Sequence, residues 1–250
     1  MNISIKEDHY PSGQLKSRYY YLDNKLHRED GPALEQFHEN GVCAVRSWHI
    51  DGKFHRDDGP AEEKFYRKGT IQEQTWYKHG DLHRLNGPAN EFFFKTGALT
   101  FRTWYVNGQM HREGGPAHEG FSIDGICTCI EWWQNNNLHR EDGPAFMEFY
   151  KNGRYSTCNW YKDGAIHREG GPAQEEFYED GTLMLRAWSI QDQYHREDGP
   201  GMEEYYLDGS LQRATYYLDG EALSKEEYDR QISLRKLSSC FAPNQTAILL

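Results

Sequence analysis

The chain has 250 residues, of which 37% are hydrophobic and 14% aromatic, and its formal net charge is −11. This acidic balance disfavours a nucleic-acid backbone or an anionic membrane surface as a direct partner and leaves a basic protein possible. No apolar run reaches the length of a signal-peptide core or a membrane span, and the five cysteines form no C-x-x-C pair. We therefore expect a cytoplasmic protein with reduced thiols, in the host cytoplasm if the source is a virus.

Residues 1–12 are predicted to be an N-terminal cap, and residues 13–223 carry an internal repeat. The motif His-Arg-x-x-Gly-Pro-Ala recurs every 28 residues, with Gly201 in place of the alanine in the last copy. A fixed period without insertions predicts one stacked structural unit, whose function is to be sought on a surface. The repeated pairs are His27 and Arg28, His55 and Arg56, His83 and Arg84, His111 and Arg112, His139 and Arg140, His167 and Arg168, and His195 and Arg196.

Two positions in each repeat have the composition of tight turns. The first is always glycine, as at Gly41 and Gly69, and the second is only glycine, asparagine or aspartate, as at Asn24 and Gly52. These residue types tolerate a left-handed backbone and favour hairpin turns. We predict a turn at each of these positions.

The segments between the turns are predicted to form strands. Val42 to Ile50 is rich in β-branched and aromatic residues, and the return segment Lys53 to Tyr66 contains Gly59-Pro60, which predicts a bulge or short loop because proline donates no hydrogen bond. Each repeat is thus predicted to be one β-hairpin. The fold class is all-β, an open, elongated antiparallel meander of about 14 to 16 strands and roughly 70 Å. A seven-bladed propeller is the rival, but 28 residues hold about two strands and not four.

Two columns of aromatic residues are predicted to form the core, with equivalent rings meeting along the array. The first column consists of Trp48, Trp76, Trp104, Trp132, Trp160 and Trp188, and the second of Phe37, Phe65, Phe93, Phe121, Phe149 and Phe177. After the array, Ser224 and Glu227 form a capping-box pattern that predicts a capping helix over 224–237 and a loose tail over 238–250.

The His-Arg ladder allows a structural and a recognition interpretation. Histidines one repeat apart would lie roughly 10 Å from each other, too far to share a metal ion. In the structural interpretation, we expect the imidazole or the guanidinium to hydrogen-bond backbone groups near the Gly-Pro break, with Asp30 or Asp58 as a partner. In the alternative, the row of basic side chains recognises an acidic ligand or partner. The pair Cys127 and Cys129 is a weak zinc candidate. No catalytic residue, metal or cofactor is predicted.

The segments Tyr10-Pro-Ser-Gly-Gln-Leu-Lys and Tyr19-Tyr-Tyr-Leu-Asp-Asn-Lys-Leu-His resemble MORN-type repeats, particularly the variant arrays of bacterial and viral proteins, some of them antitoxin-like. The similarity covers about residues 10 to 223. The resemblance implies consecutive β-hairpins in one elongated sheet. It also implies a role as a scaffold or in molecular interactions, without a shared enzymatic activity.

We therefore predict a non-enzymatic scaffold for protein–protein interaction. An antitoxin or a phage or viral inhibitor that sequesters a host effector is the narrower form. The alternatives are a binder of small molecules or lipids in an aromatic-lined groove, and an acidic mimic of nucleic acid that binds a basic protein. The protein partner is possibly basic, and a homo-oligomer is possible.

Overall fold

The computed structural model of the protein describes residues 3–240. Most of the chain forms one open antiparallel sheet, here called the main sheet, in which each strand pairs with the next in chain order. Its strands are Ile3–His9, Leu15–Leu22, Leu34–Phe37, Cys43–Ser47, Glu62–Phe65, Ile71–Thr75, Asn90–Phe93, Leu99–Thr103, His118–Phe121, Cys127–Glu131, Phe146–Phe149, Tyr155–Asn159, Gln174–Phe177, Leu183–Ala187, Met202–Tyr205 and Leu211–Leu218. The predicted all-β meander is confirmed.

A second row of short strands runs along one edge of the main sheet, where edge means the line formed by the ends of successive strands and not an outermost strand. Each member is a hairpin of two-residue strands, here called a side hairpin. The side hairpins are His49–Ile50 with Lys53–Phe54, Tyr77–Lys78 with Asp81–Leu82, Tyr105–Val106 with Gln109–Met110, Trp133–Gln134 with Asn137–Leu138, Tyr161–Lys162 with Ala165–Ile166, and Ser189–Ile190 with Gln193–Tyr194. At the two ends, Lys25–Leu26 and Glu221–Leu223 pair instead with the long strands Leu15–Leu22 and Leu211–Leu218.

The repeat therefore contains more structure than the predicted single hairpin. The return segment 53–66 is divided into Lys53–Phe54, a loop over 55–61, and Glu62–Phe65. Gly59-Pro60 lies in that loop, and the register shift in the sheet lies elsewhere, between Lys64 and Phe65. The end of the loop is attached to the strand segment before the side hairpin, because the N–H of Trp48 donates to the carbonyl of Ala61, which follows the proline, at 2.8 Å.

Both predicted turn positions have a left-handed backbone. The glycines of the turns between main-sheet strands have φ between 78° and 92°, and in the side-hairpin turns both central residues have positive φ, as in Asp51 (50°) and Gly52 (82°). Two consecutive left-handed residues form the turn type whose twist matches that of antiparallel strands. This explains why asparagine, aspartate and glycine alone occupy the second position.

The most deeply buried side chains are small. Solvent does not reach the six alanines of the Gly-Pro-Ala motif, namely Ala33, Ala61, Ala89, Ala117, Ala145 and Ala173. Ser47 and Thr75, in the strands, are also fully buried. Of the predicted tryptophan column only Trp104 is buried, and the other members are half-buried. The core is thus a line of small residues between strands.

The helix at the end of the array spans Lys225–Cys240, three residues beyond the predicted 237. Ser224 Oγ accepts a hydrogen bond from the N–H of Glu227 at 3.2 Å, which is the expected cap. Tyr228 and Ile232 of the helix pack against Leu218, and the three side chains form a buried apolar cluster. The predicted tail therefore begins inside the helix, and its remainder, 241–250, lies outside the described residues. At the other end, the predicted cap supplies the first strand, Ile3–His9.

We predict that the turn residue Asn24 controls stability through its backbone alone. Its φ is 64°, and its side chain makes no hydrogen bond within the described residues. Asn24→Ala should destabilise the fold by about 1 kcal/mol, because alanine adopts the left-handed conformation at a higher cost than asparagine does, whereas Asn24→Gly should preserve or raise stability. Urea unfolding of the three proteins measures the difference, and an alanine variant as stable as the glycine variant would contradict this account.

Candidate interaction surface: the arginine loops

Seven loops of equal length project from the edge of the main sheet that carries the side hairpins. Each consists of the His-Arg-x-x-Gly-Pro motif and the residue after it, and is here called an arginine loop. Loops one to seven span 27–33, 55–61, 83–89, 111–117, 139–145, 167–173 and 195–201.

The arginine of every loop lies flat against the aromatic residue of its own repeat. The distance from the guanidinium carbon Cζ to the ring centroid is 3.8–4.1 Å in all seven cases. This is within the range of a strong cation–π contact. The pairs are Arg28 with Tyr20, Arg56 with Trp48, Arg84 with Trp76, Arg112 with Trp104, Arg140 with Trp132, Arg168 with Trp160, and Arg196 with Trp188.

The glycine of each loop covers the guanidinium from another side. A Cβ at Gly115 would lie 2.9 Å from Cζ of Arg112, and the equivalent distances in the other loops are 2.8–3.0 Å. Carbon atoms do not approach this closely without displacement. A side chain in place of the glycine of Gly-Pro would therefore displace the guanidinium from its position on the ring.

Hydrogen bonds complete the enclosure of the arginine. In all seven loops Nη1 donates to the carbonyl of the loop proline, at 2.9–3.4 Å. In four loops Nε also donates to an aspartate two residues on, at 2.6–2.8 Å. These aspartates are Asp30, Asp58, Asp142 and Asp198, and their arginines hold the pKa of each carboxyl below its ordinary value. The predicted partners Asp30 and Asp58 are thus in place.

The histidines connect each loop to the next repeat. In six loops Nδ1 accepts a backbone N–H from the turn of the following side hairpin, as from Asp51 to His27 at 3.1 Å. An accepting Nδ1 carries no proton, so the rings of His55, His83 and His167 present their N–H at Nε2. In His27, His139 and His195, Nδ1 also lies 2.8–3.2 Å from the carboxylate of the same turn aspartate. His111 is the exception: its Nδ1 is buried and has no hydrogen-bond partner within the described residues.

The outer surface of the loops is acidic. The side chains of nine loop carboxylates are 57–86% exposed. The arginine side chains of loops one, two, five and seven are only 18–26% exposed. Open clefts of roughly 360–780 Å³ separate several successive loops. Trp48, Trp76, Trp104 and Trp160 each contribute to one of them.

The predicted site residues are thus brought together in a way that the sequence did not indicate. The His-Arg ladder and the tryptophan column, predicted as separate features, form one set of contacts. Within residues 3–240 no ring contact joins two members of the tryptophan column or two of the phenylalanine column. Strand arginines lie between the columns instead: Arg46, for example, is 5.5 Å from the ring centroid of Trp48 and 5.2 Å from that of Phe65. The missed signal was the constant spacing of eight residues from Trp to Arg.

The cysteines do not form a metal site in the described part of the chain. No group of three or more His, Cys, Asp or Glu residues there is arranged to hold a metal ion. Cys43, Cys127, Cys129 and Cys158 are free thiols, and burial raises the pKa of Cys158 to about 12. A thiol with this pKa is protonated and unreactive at neutral pH. Between residues 3 and 240 no helix is both long and apolar enough for a membrane span.

Comparison with known proteins leaves the family of this chain open. No protein-family model matches it, and no curated protein does. One solved structure with detectable similarity, a crystal structure of TcdB2-TccC3-Cdc42, aligns with 73% of this chain at 11% identity and a TM-score of 0.15. This chain covers 12% of the length of that chain. A likeness this weak supports no statement about fold or function, and membership of the MORN-type family stays a prediction.

We predict a measurable coupling between Arg112 and Trp104. Trp104→Ala should destabilise the protein by about 3–5 kcal/mol, since a large buried ring is lost. In a double-mutant cycle with Arg112→Ala, the coupling energy should be about 1 kcal/mol, the usual size of a partly exposed cation–π contact. Chemical unfolding of the four proteins gives this energy, and a value indistinguishable from zero would show that the stacked geometry contributes nothing.

We also predict that the loop aspartates stabilise the fold only above acid pH. A carboxyl with a lowered folded-state pKa contributes stability that is present above its unfolded pKa of about 4 and is lost as pH falls through the folded value. Replacing all four by asparagine should therefore lower stability at neutral pH, and the difference from wild type should be smaller near pH 2, roughly two units below that unfolded-state pKa. Urea unfolding at both values tests this. The variants are Asp30→Asn, Asp58→Asn, Asp142→Asn and Asp198→Asn combined, and the matched control is Glu29→Gln, Asp57→Asn, Glu141→Gln and Glu169→Gln, whose carboxylates do not bond arginine.

Proposed function

We propose that the protein is a non-enzymatic repeat scaffold that binds a protein partner through the acidic tips of its arginine loops. The observation that carries this proposal is the separation of charge within each loop. The guanidinium is held between ring, glycine and proline carbonyl, while the carboxylates of the same loop point into solvent. An approaching partner therefore meets negative charge at every loop except loop three, which favours a basic surface on that partner.

The density of this charge favours a protein over a role as a mimic of nucleic acid. The seven loops carry ten carboxylates. At roughly 4.8 Å per strand and two strands per repeat, this is about one negative charge per 6 Å, whereas duplex DNA carries one per ~1.7 Å. The buried arginines reduce the net field further. A protein that binds DNA through its electrostatic field would therefore be attracted only weakly to this row of loops.

The covered tryptophan faces weigh against the aromatic-groove alternative. Ligands of such grooves stack on an open ring face or bury apolar surface against it. In this protein the guanidinium already occupies one face of each ring at about 4 Å. The absence of an enzymatic role is proposed on the repetition itself, because a catalytic group needs one asymmetric environment and this loop occurs seven times.

The resemblance to MORN-type arrays suggests a narrower form of the same proposal. In that form the protein is an antitoxin, or a phage or viral inhibitor, that sequesters a host effector in the cytoplasm. An elongated row of loops suits this work because many small contacts can add to a stable complex with a larger surface.

Affinity capture with matched baits tests the proposal. The wild-type protein is immobilised beside a loop variant that combines Glu29→Gln, Asp57→Asn and Glu169→Gln, none of which bonds an arginine. The control variant combines Glu39→Gln, Asp124→Asn and Glu179→Gln in the turns at the opposite edge of the main sheet. Captured proteins from a bacterial lysate are identified by mass spectrometry, and the affinity of each is then measured with purified material.

We expect a saturable partner whose affinity falls by about tenfold or more in the loop variant, since each rim charge contributes up to ~1 kcal/mol. The control variant should bind like wild type, and added salt should weaken both complexes. Equal binding by the loop and control variants, or the lack of any saturable partner, would overturn the proposal.

A further inference from the structure

Three of the seven arginine loops lack the aspartate that bonds the arginine. Asn86, Gly114 and Gly170 occupy its position beside Arg84, Arg112 and Arg168. Within the described residues, Nε of these three arginines donates to no partner. Their Nη1 atoms lie closer to the proline carbonyl, at 2.9–3.0 Å compared with 3.2–3.4 Å in the other four loops. Each of these arginines therefore has a strong donor available for a ligand.

Two of the three arginines are neighbours and line the same cleft. Arg84 and Arg112 belong to loops three and four, and both contribute to a cleft of about 580 Å³ between them. Each side chain is 32% exposed, more than any of the four arginines that have an aspartate. In loops with an aspartate the same position faces the cleft, as Asp30 and Asp58 do between loops one and two. The unused donors are thus accessible from this cleft.

The charge of this cleft differs from that of its counterpart between loops one and two. There, two arginines face the four carboxylates of Glu29, Asp30, Asp57 and Asp58. Between loops three and four, two arginines face the single carboxylate of Glu113. The nearest sheet carboxylates, Glu91 and Glu119, are 3.8 and 3.9 Å from the Nη1 atoms, beyond hydrogen-bond distance. This cleft is therefore less acidic than its counterpart, and an anion meets less repulsion here than elsewhere in the row.

The remaining walls add an apolar surface. Leu85 replaces the exposed acidic residue of the other loops and is 75% exposed, and Val106 and Trp104 line the same cleft. His111 also lines it, and its Nδ1 is the one histidine acceptor of the ladder without a hydrogen bond. Exposed leucine beside two available guanidinium donors suits a ligand with an anionic and an apolar part.

We propose that the cleft between loops three and four is a binding site for a carboxylate attached to an apolar group, presented by a small acid or by a peptide. The ligand carboxylate takes the place of the missing loop aspartate and accepts from Nε of Arg84, Arg112 adds a second positive charge across the cleft, and the apolar group contacts Leu85 and Val106. This site does not depend on the proposed function. If a protein partner also binds the row, the site gives a periodic surface one distinct position, which prevents the partner from binding one repeat out of register.

Nuclear magnetic resonance of the arginine Nε–H groups tests the site directly. Sodium hexanoate and inorganic phosphate are titrated separately into the labelled full-length protein, with chloride as the ionic-strength control. We expect hexanoate to shift the Arg84 and Arg112 signals saturably and to leave those of Arg28, Arg56, Arg140 and Arg196 in place, because their Nε donors are occupied. Phosphate should bind more weakly, since it lacks the apolar part.

Restoring the missing carboxylate provides the decisive variant. Asn86→Asp gives loop three the residue of the complete loops, so it should fill the site of Arg84 and weaken hexanoate binding by about tenfold, the effect of losing a charge-assisted hydrogen bond. The matched control, Gly170→Asp, adds the same charge beside Arg168 in loop six and should change nothing at Arg84 and Arg112. Leu85→Ser should remove the preference for hexanoate over phosphate.

Three results would overturn the proposal: equal shifts at all seven arginines, unchanged hexanoate binding in Asn86→Asp, or binding of phosphate without binding of hexanoate. Thermal unfolding of each variant establishes that it is folded. Because Asn86→Asp restores a residue that four other loops contain, loss of the fold is not expected to obscure the result.

Discussion

In each repeat a guanidinium lies between an aromatic ring and the backbone of a glycine, and it donates to the carbonyl of the following proline. This contact holds a loop whose proline cannot contribute an N–H to the sheet. It also allows a sheet without a second layer to have an ordered edge, because the loop carries the next alanine into position between two strands, where it is fully buried. The main sheet, the side hairpins and the surface all depend on it.

The same contact decides which charges reach solvent. The four stacked arginines that also bond an aspartate are only 18–26% exposed. The acidic residues of the loop remain at the tip with exposures up to 86%. A chain with 28 basic and 39 acidic residues thus presents one edge that is more acidic than its composition indicates. Recognition of a basic surface is the use that this arrangement suits best.

Repetition also has a cost for recognition. Seven equal loops offer a partner several equivalent registers, and only a departure from the pattern distinguishes them. Loops three and four contain such departures, with Leu85 and Asn86 in one and Gly114 in the other. In sequence these substitutions look like drift. In the structure Leu85 and Asn86 line one cleft together with Arg84 and Arg112, whose Nε donors are unused, so this cleft differs most from the rest of the row.

The period, the class of fold and the turns could be predicted from the amino-acid sequence, because these depend on local chemistry. At the two turn positions of the repeat, glycine, asparagine and aspartate mark left-handed residues, as Asn24 and Gly52 do, and Ser224 caps its helix with a bond to a residue three positions away. What only the tertiary structure decided is the pairing of Arg56 with Trp48, the close approach of Gly59, and the link from His27 to the next repeat. The side hairpin separates Trp48 from Arg56 in sequence, and His27 and its partner Asp51 lie in neighbouring repeats. Their partners are chosen by packing in three dimensions, which propensity and periodicity do not encode.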